Sequence, residues 1–126
     1  MKITAIAFVG YPVTDMARAR AFYEKLLGLK PGEIWEHEGK AWVEFDIGSG
    51  TLALSNMSPD KWKPSPDGPG VALEVDDLES AVRELKSAGV RFYLDPMDSP
   101  VCRLAVVADP DGNSVVLHQK AKAPAS

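Results

Sequence analysis

His118 lies near the end of the stretch DPDGNSVVLH, residues 109–118, two positions beyond Val116. Residues i and i+2 of a strand share a face, so both side chains point the same way. An imidazole can serve as a general base near neutral pH. A histidine close to a chain end can equally be a solvated rim residue. Glu44 and Glu74 are the other weak candidates for proton transfer, and no catalytic role is fixed for any of the three. Two carboxylates facing one apolar cavity attract a cation, or one is raised in pKa and becomes a proton donor. At a solvated mouth they only pair with lysine or arginine. A metal site built from Glu44, Glu74 and His118 would need all three to converge, which strand alternation does not establish.

Trp42 and Trp62 offer flat surface that can stack on a planar or cationic ligand. Trp42 is as well suited to anchor a dimer contact. Trp35 reads as structural, and Phe22 and Tyr23 as core. The run WEHE, 35–38, looks like a chelate at first. In a strand, however, Glu36 and Glu38 share one face and His37 takes the other, so a solvated edge strand is expected. Arg103 could reach an anion, but its facing is open because LAVVA, 104–108, is apolar on both sides. Cys102 has no helix N-terminus or neighbouring histidine predicted to activate it. There is no phosphate-binding glycine loop, dinucleotide fingerprint, HExxH or nucleophile elbow.

These residues must be positioned by a modest amount of chain. The 126 residues suit one domain, and 45% hydrophobic with 25% charged residues is ordinary globular composition. The net charge of -4, with scattered Lys and Arg, argues against a nucleic-acid partner. No apolar run approaches the ~20 residues of a membrane span, so no membrane partner is expected. Met1-Lys2-Ile3 runs directly into a strand-like segment, so no signal peptide is expected. The sole cysteine, Cys102, cannot form an internal disulfide, and a reducing cytoplasm is the default.

The pattern of elements occurs twice. Residues 3–13 read as a strand and Asp15 as a helix N-cap. Met16, Ala19, Phe22, Tyr23, Leu26 and Leu27 form the helix stripe, and Gly28 stops it. Strands follow at Glu33–Glu38, Ala41–Ile47 and Thr51–Asn56, with turns at Gly39 and 48–50. The stretch 57–69, rich in proline, is a linker or lid. The plan then restarts with strand Val71–Val75 and N-cap Asp77. Leu78, Ala81, Val82, Leu85 and Ala88 form the second stripe, and Gly89 ends it. Strands follow at Arg91–Leu94, Val101–Ala108 and Ser114–Gln119, with a type I turn at Asp109-Pro110-Asp111-Gly112. The boundaries are therefore about 1–56, a linker 57–69, 70–119 and a frayed tail 120–126, within one domain.

The fold class is α+β: two βαβββ modules in tandem, forming a curved, partly open sheet cup with helices on its outer face. Alternation sends Val43, Phe45, Ile47, Leu52, Leu54, Val71, Leu73, Val75, Val115 and Leu117 toward the helices. Trp42, Glu44, Asp46, Ala53, Ala72, Glu74, Val116 and His118 take the cavity side. Phe8 is placed with Ile6 and Gly10 on that side.

VTDMARARAFYEKLLGL at 13–29, VALEVDDLESAVRELKSAGV at 71–90 and DPDGNSVVL at 109–117 carry a resemblance over nearly the whole chain. The sequence resembles the vicinal-oxygen-chelate superfamily, which includes glyoxalase I, extradiol dioxygenases, fosfomycin-resistance transferases and bleomycin-resistance proteins. The resemblance implies a paired βαβββ fold that is commonly dimeric. In metal-dependent members one histidine lies seven residues before each capping Asp, which here gives Phe8 and Gly70. The other two ligands lie on the fourth strand of each unit, the last of them three residues after the Asn of DPDGN. These positions are Ala53 and Val116. None of the four side chains can donate an electron pair to a divalent ion. The resemblance therefore implies a member without the usual metal and with no cofactor. The expected function is binding of a small organic molecule, aromatic or cationic, at Phe8, Trp42, Glu44, Ala53, Gly70, Glu74, Val116 and His118, by a homodimer. The alternative is an enzyme with a relocated metal or metal-free acid–base groups.

Overall fold

The computed structural model describes residues 2–68 and 70–121. The chain divides into two compact modules, Met1–Ser65 and Pro66–Ser126. In the first, the elements are β1 (Val9–Pro12), α1 (Met16–Arg20, continuing as wider π-helical turns over Ala21–Leu26), β2 (Pro31–His37), β3 (Lys40–Ile47) and β4 (Gly50–Ser55). The second contains β5 (Val71–Glu74), α2 (Leu78–Ser87), β6 (Phe92–Asp98), β7 (Cys102–Ala108) and β8 (Ser114–Lys120). Each module has a four-stranded mixed sheet, ordered β1-β4-β3-β2 and β5-β8-β7-β6. In each the first strand runs parallel to the fourth, and the other pairings are antiparallel. This is the α+β, twice-repeated βαβββ plan that the sequence predicts.

Both helices begin as their sequences dictate. Asp15 and Asp77 are extended, and their carboxylates accept from the amides of Arg18 at 3.0 Å and Ser80 at 3.1 Å. Each cap satisfies one of the amide donors that a helix start leaves unpaired. Gly28 and Gly89 end the helices with φ of 76° and 77°, a conformation that disfavours a Cβ. At the second end Gly89 N–H donates to Lys86 and Val90 N–H to Leu85, the paired bonds of a Schellman motif. The first helix is one residue longer between cap and glycine. Its wider turns take up that residue, with Leu27 N–H reaching back to Phe22 and Leu29 N–H to Tyr23. Ala88, expected on the second stripe, is instead the exposed cap residue.

The helices cover one face of each sheet. In the first module α1 packs on β4, and Ala19, Phe22 and Tyr23 bury against Tyr11, Val43, Phe45, Leu52 and Leu54. Tyr23 lies between Tyr11 (centroids 6.4 Å apart) and Phe45 (6.2 Å), with Phe22 edge-on at 5.0 Å. In the second module α2 packs on β7 and β8, and Leu78, Val82 and Leu85 bury with Ala105, Val107, Val115 and Leu117.

Several elements depart from the sequence expectation: β6 runs Phe92–Asp98 rather than Arg91–Leu94, β2 runs Pro31–His37 rather than Glu33–Glu38, and Ile47, expected on the helix side, is exposed at the end of β3. The first strand is Val9–Pro12 rather than 3–13, and only these four residues pair with β4, opposite Leu52–Ser55. Ile3 and Ile6, β-formers by type, are exposed outside that ladder. The tail does not begin at 120: Lys120 belongs to β8 opposite Cys102, and Ala121 N–H donates to Val101 at 2.9 Å. Residues 122–126 lie outside the described part. Within the expected linker, Lys61 and Trp62 N–H both return to the Ser58 carbonyl, forming a turn.

Candidate functional site

On the sheet face away from α1, register sets Gly10 beside Ala53, Ala53 beside Glu44, and Trp42 beside Ser55. Trp42 and Glu44 are two residues apart on β3, so they share this face. The Trp42 indole N–H donates to Glu44 Oε2 at 2.8 Å. Phe8 precedes β1 and meets Trp42 edge-to-face, with centroids 5.0 Å apart and planes at 87°. Ala53 is fully buried, while Phe8 and Trp62 remain 46% and 38% exposed.

Gly10 is what allows the third ring to approach. A Cβ there would stand 2.9 Å from Trp62 Cη2 and 3.3 Å from Cζ2. Gly10→Ala should therefore push the Trp62 ring off β1. The expected result is a red-shifted tryptophan emission with less than about 1 kcal/mol of stability lost, because an exposed ring on a turn can move. An unchanged spectrum would show that Trp62 does not rest on this glycine.

On the face of the second sheet away from α2, Ala72, Val116 and Val106 form one row and Glu74, His118 and Leu104 the next. The Glu74 carboxylate is held at both oxygens. His118 Nδ1 lies 2.6 Å from Oε1, and the Lys120 amide donates to Oε2 at 2.7 Å. The Lys120 amide first, and then His118, keep the Glu74 carboxyl below its ordinary value of 4.5. A carboxylate with a depressed folded pKa adds stability that is present above the unfolded value and lost as pH falls through the folded one. The stability difference between wild type and Glu74→Gln should thus be present at neutral pH and shrink below about pH 4. Denaturant titrations of both proteins across that range would show it. A difference independent of pH would mean that the ionised carboxylate is not what is held.

The structure brings Phe8 to Trp42, Trp42 to Glu44, and Glu74 to His118. Among the described residues no three His, Cys, Asp or Glu side chains are grouped to hold an ion. Each carboxylate is instead tied to a neighbour on its own sheet, Glu44 to an indole and Glu74 to an imidazole and an amide. The positions at which the resemblance implies metal ligands fit an ion no better. Phe8, Ala53, Gly70 and Val116 carry no nitrogen, oxygen or sulfur in their side chains. Gly70 lies two residues ahead of Ala72, just before β5.

Other expectations are sharpened by the register. Trp35 pairs with Trp42 across the ladder, is 49% exposed, and lies beside His37 with centroids 5.8 Å apart. β2 is an edge strand exposed along its whole length, as WEHE suggested. Arg103 lies opposite Gln119, whose side chain caps the Leu78 amide, so it is on the helix side and pairs with Asp98. Cys102 lies opposite Lys120, in the other set, next to Ser99 Oγ at 3.6 Å. Two contributors escape sequence reasoning. The Lys120 amide has no residue-type signature. Gly10 has one, since an isolated glycine in a strand marks close backbone approach. A groove of about 490 Å³ between α1 and the β2–β3 turn, lined by Met16, Arg20, His37, Lys40 and Asn56 among others, contains none of the candidate residues.

Residues 5–117 match the sequence profile of the Glyoxalase/Bleomycin resistance protein/Dioxygenase superfamily. The chain belongs to this superfamily. Solved structures of similar fold include TnmS3, an antibiotic binding protein from Streptomyces sp. CB03234. It is 26% identical with a TM-score of 0.78, over 96% of this chain and 99% of that one. A superfamily member from Sphaerobacter thermophilus DSM 20745 is also 26% identical, with a TM-score of 0.72 over 93% and 98% of the two chains. Lactoylglutathione lyase from Agrobacterium tumefaciens, at 19% identity and a TM-score of 0.72 over 94% and 96%, shares the fold. No curated protein matches this chain. Asp15 and Asp77 cap the two helices, and the Asp109 carboxylate holds the DPDGN turn.

Proposed function

We propose that the protein binds a small organic molecule on its helix-free sheet faces, without a divalent ion at the superfamily's ligand positions. The observation that carries this reading is that Phe8, Ala53, Gly70 and Val116, where the resemblance implies metal ligands, bear no donor atom in their side chains. An apolar lining with a few orienting polar groups is the ordinary make-up of a ligand site. Trp42 and Glu44 lie on the helix-free face of the first sheet, and Glu74 and His118 on that of the second. The likeness to an antibiotic binding protein supports the same reading. The ligand class is aromatic or cationic, because Glu44 lies beside the Trp42 indole and a cation gains from both a carboxylate and a ring face.

The test is a tryptophan-fluorescence titration with N-methylquinolinium and neutral quinoline. Saturable quenching by the cation is expected, weakened about tenfold in Glu44→Gln, with quinoline affected less. Absence of saturable binding by both these and a wider set of aromatic and cationic compounds would defeat the proposal. The reading includes a homodimer, supported by the exposed Ile34 and Trp35 of edge strand β2, and a cytoplasmic setting in keeping with the lone thiol of Cys102. Sedimentation equilibrium would test the assembly.

A second reading, an enzyme with metal-free acid–base chemistry, is favoured by the 2.6 Å contact between Glu74 and His118. A carboxylate that orients an imidazole is a common arrangement for a general base.

A further inference from the structure

We propose that His118 Nε2 accepts a hydrogen bond from a neutral, acidic hydroxyl, phenolic or enolic, on the bound molecule, with Glu74 acting as the positioning residue that sets the imidazole tautomer. The inference rests on the small-molecule-binding reading above and names the chemistry of one contact within it.

Glu74 Oε2 already accepts from the Lys120 amide, and Oε1 lies 2.6 Å from His118 Nδ1. An ionised carboxylate is acceptor-only, so Nδ1 must carry the proton that joins them. The amide and the imidazole both hold the carboxyl in its ionised form. In the neutral ring the second nitrogen, Nε2, is then a fixed acceptor rather than a donor. The two neighbouring strands meet His118 with Glu74 on one side and Leu104 on the other, and Val116 shares its face. With Ala72 and Val106 these side chains form an apolar strip that ends at the imidazole. The His118 side chain is 31% exposed, so the ring is open to an incoming group.

The complement of such a site is a flat or apolar body bearing an O–H. An anionic ligand would meet the Glu74 charge next to the imidazole. A cationic group at this one contact would have to shed its hydration on an apolar strip. A neutral hydroxyl avoids both costs, and the more acidic it is, the stronger its bond to an imidazole nitrogen.

The premise is testable without ligand. The chain has two histidines, His37 and His118, so long-range nitrogen–proton NMR spectra can be assigned with a His37→Gln variant. Protonation of His118 at Nδ1 is expected, and a ring protonated at Nε2 would overturn the inference. The ligand arm compares 2-naphthol, 2-methoxynaphthalene, 2-naphthoate and 2-naphthylmethylammonium by equilibrium dialysis. Wild type should hold 2-naphthol about tenfold more tightly than the methyl ether. His118→Phe should bring that ratio near one while retaining the ether. Glu74→Gln should lower the ratio by freeing the tautomer. Equal binding of naphthol and ether by wild type would overturn this inference and leave the small-molecule reading standing. Tighter binding of naphthoate or the ammonium would overturn it in favour of a charged ligand group. Failure of all four to bind would overturn the inference and count against the reading it rests on.

Discussion

Tyr23→Ala is expected to cost about 3–5 kcal/mol, the usual range for removing a fully buried aromatic ring. Tyr23 has no exposed surface and touches rings on three sides, Tyr11, Phe22 and Phe45. These residues come from β1, the wide helical turns and β3, so the ring fastens the helix to two strands of the sheet. The surroundings can close only partly around the lost volume, which adds a cavity cost to the lost transfer energy. A domain of ordinary stability has only about 5–15 kcal/mol in total. All three tryptophans, Trp35, Trp42 and Trp62, belong to the first module. Urea denaturation followed by tryptophan emission therefore reads the affected part directly. A loss under about 1 kcal/mol would show that this ring is not the fastening point.

Asp109→Ala should remove about 3 kcal/mol or more from the second module. One buried carboxylate organises the DPDGN turn: Oδ1 accepts from the amides of Asp111 and Asn113 at 2.9 Å each, and Oδ2 from Asn113 Nδ2 at 3.0 Å. Tyr93 Oη adds a bond to the Gly112 carbonyl at 2.7 Å. Alanine would leave buried donors without their acceptor, each costing about 1–3 kcal/mol. Asp109→Asn should fall between, because one oxygen can still serve the two amides while its NH₂ faces the donor of Asn113. The turn sets the start of β8 at Ser114, and β8 carries Val116 and His118. Amide hydrogen exchange at Val115, Val116 and Leu117 should therefore accelerate in step with the loss of stability. Unchanged protection there would separate the turn from the strand it introduces.

What the sequence reveals about this molecule is mostly what repeats. Asp15 and Asp77, Gly28 and Gly89, and the alternation of Trp42, Glu44 and Asp46 against Val43 and Phe45 are local patterns, and the structure keeps them. The length of β1 is not local. Residues 3–8 have strand-forming types, but only Val9–Pro12 pair with β4. The clasp on Glu74 is non-local in the same way, since it depends on β5 lying beside β8 and on an amide that any residue could supply. Trp62 comes from a stretch without periodicity, so its place over Gly10 could be suspected only from the glycine. Trp35 stays 49% exposed because its edge strand has a neighbour on one side only, which leaves even a large ring in water.

The widened turns of the first helix show how this architecture absorbs a change in chain length. One added residue shifts the hydrogen-bond partners between Phe22 and Leu29, yet the Asp15 cap and the Gly28 stop both hold. The insertion is confined to a single coil of backbone and is not passed on to the strands. The two halves of a duplicated chain can therefore drift apart by insertion without losing their common architecture, and each can acquire its own surface chemistry: an aromatic cluster in one, a carboxylate–imidazole clasp in the other.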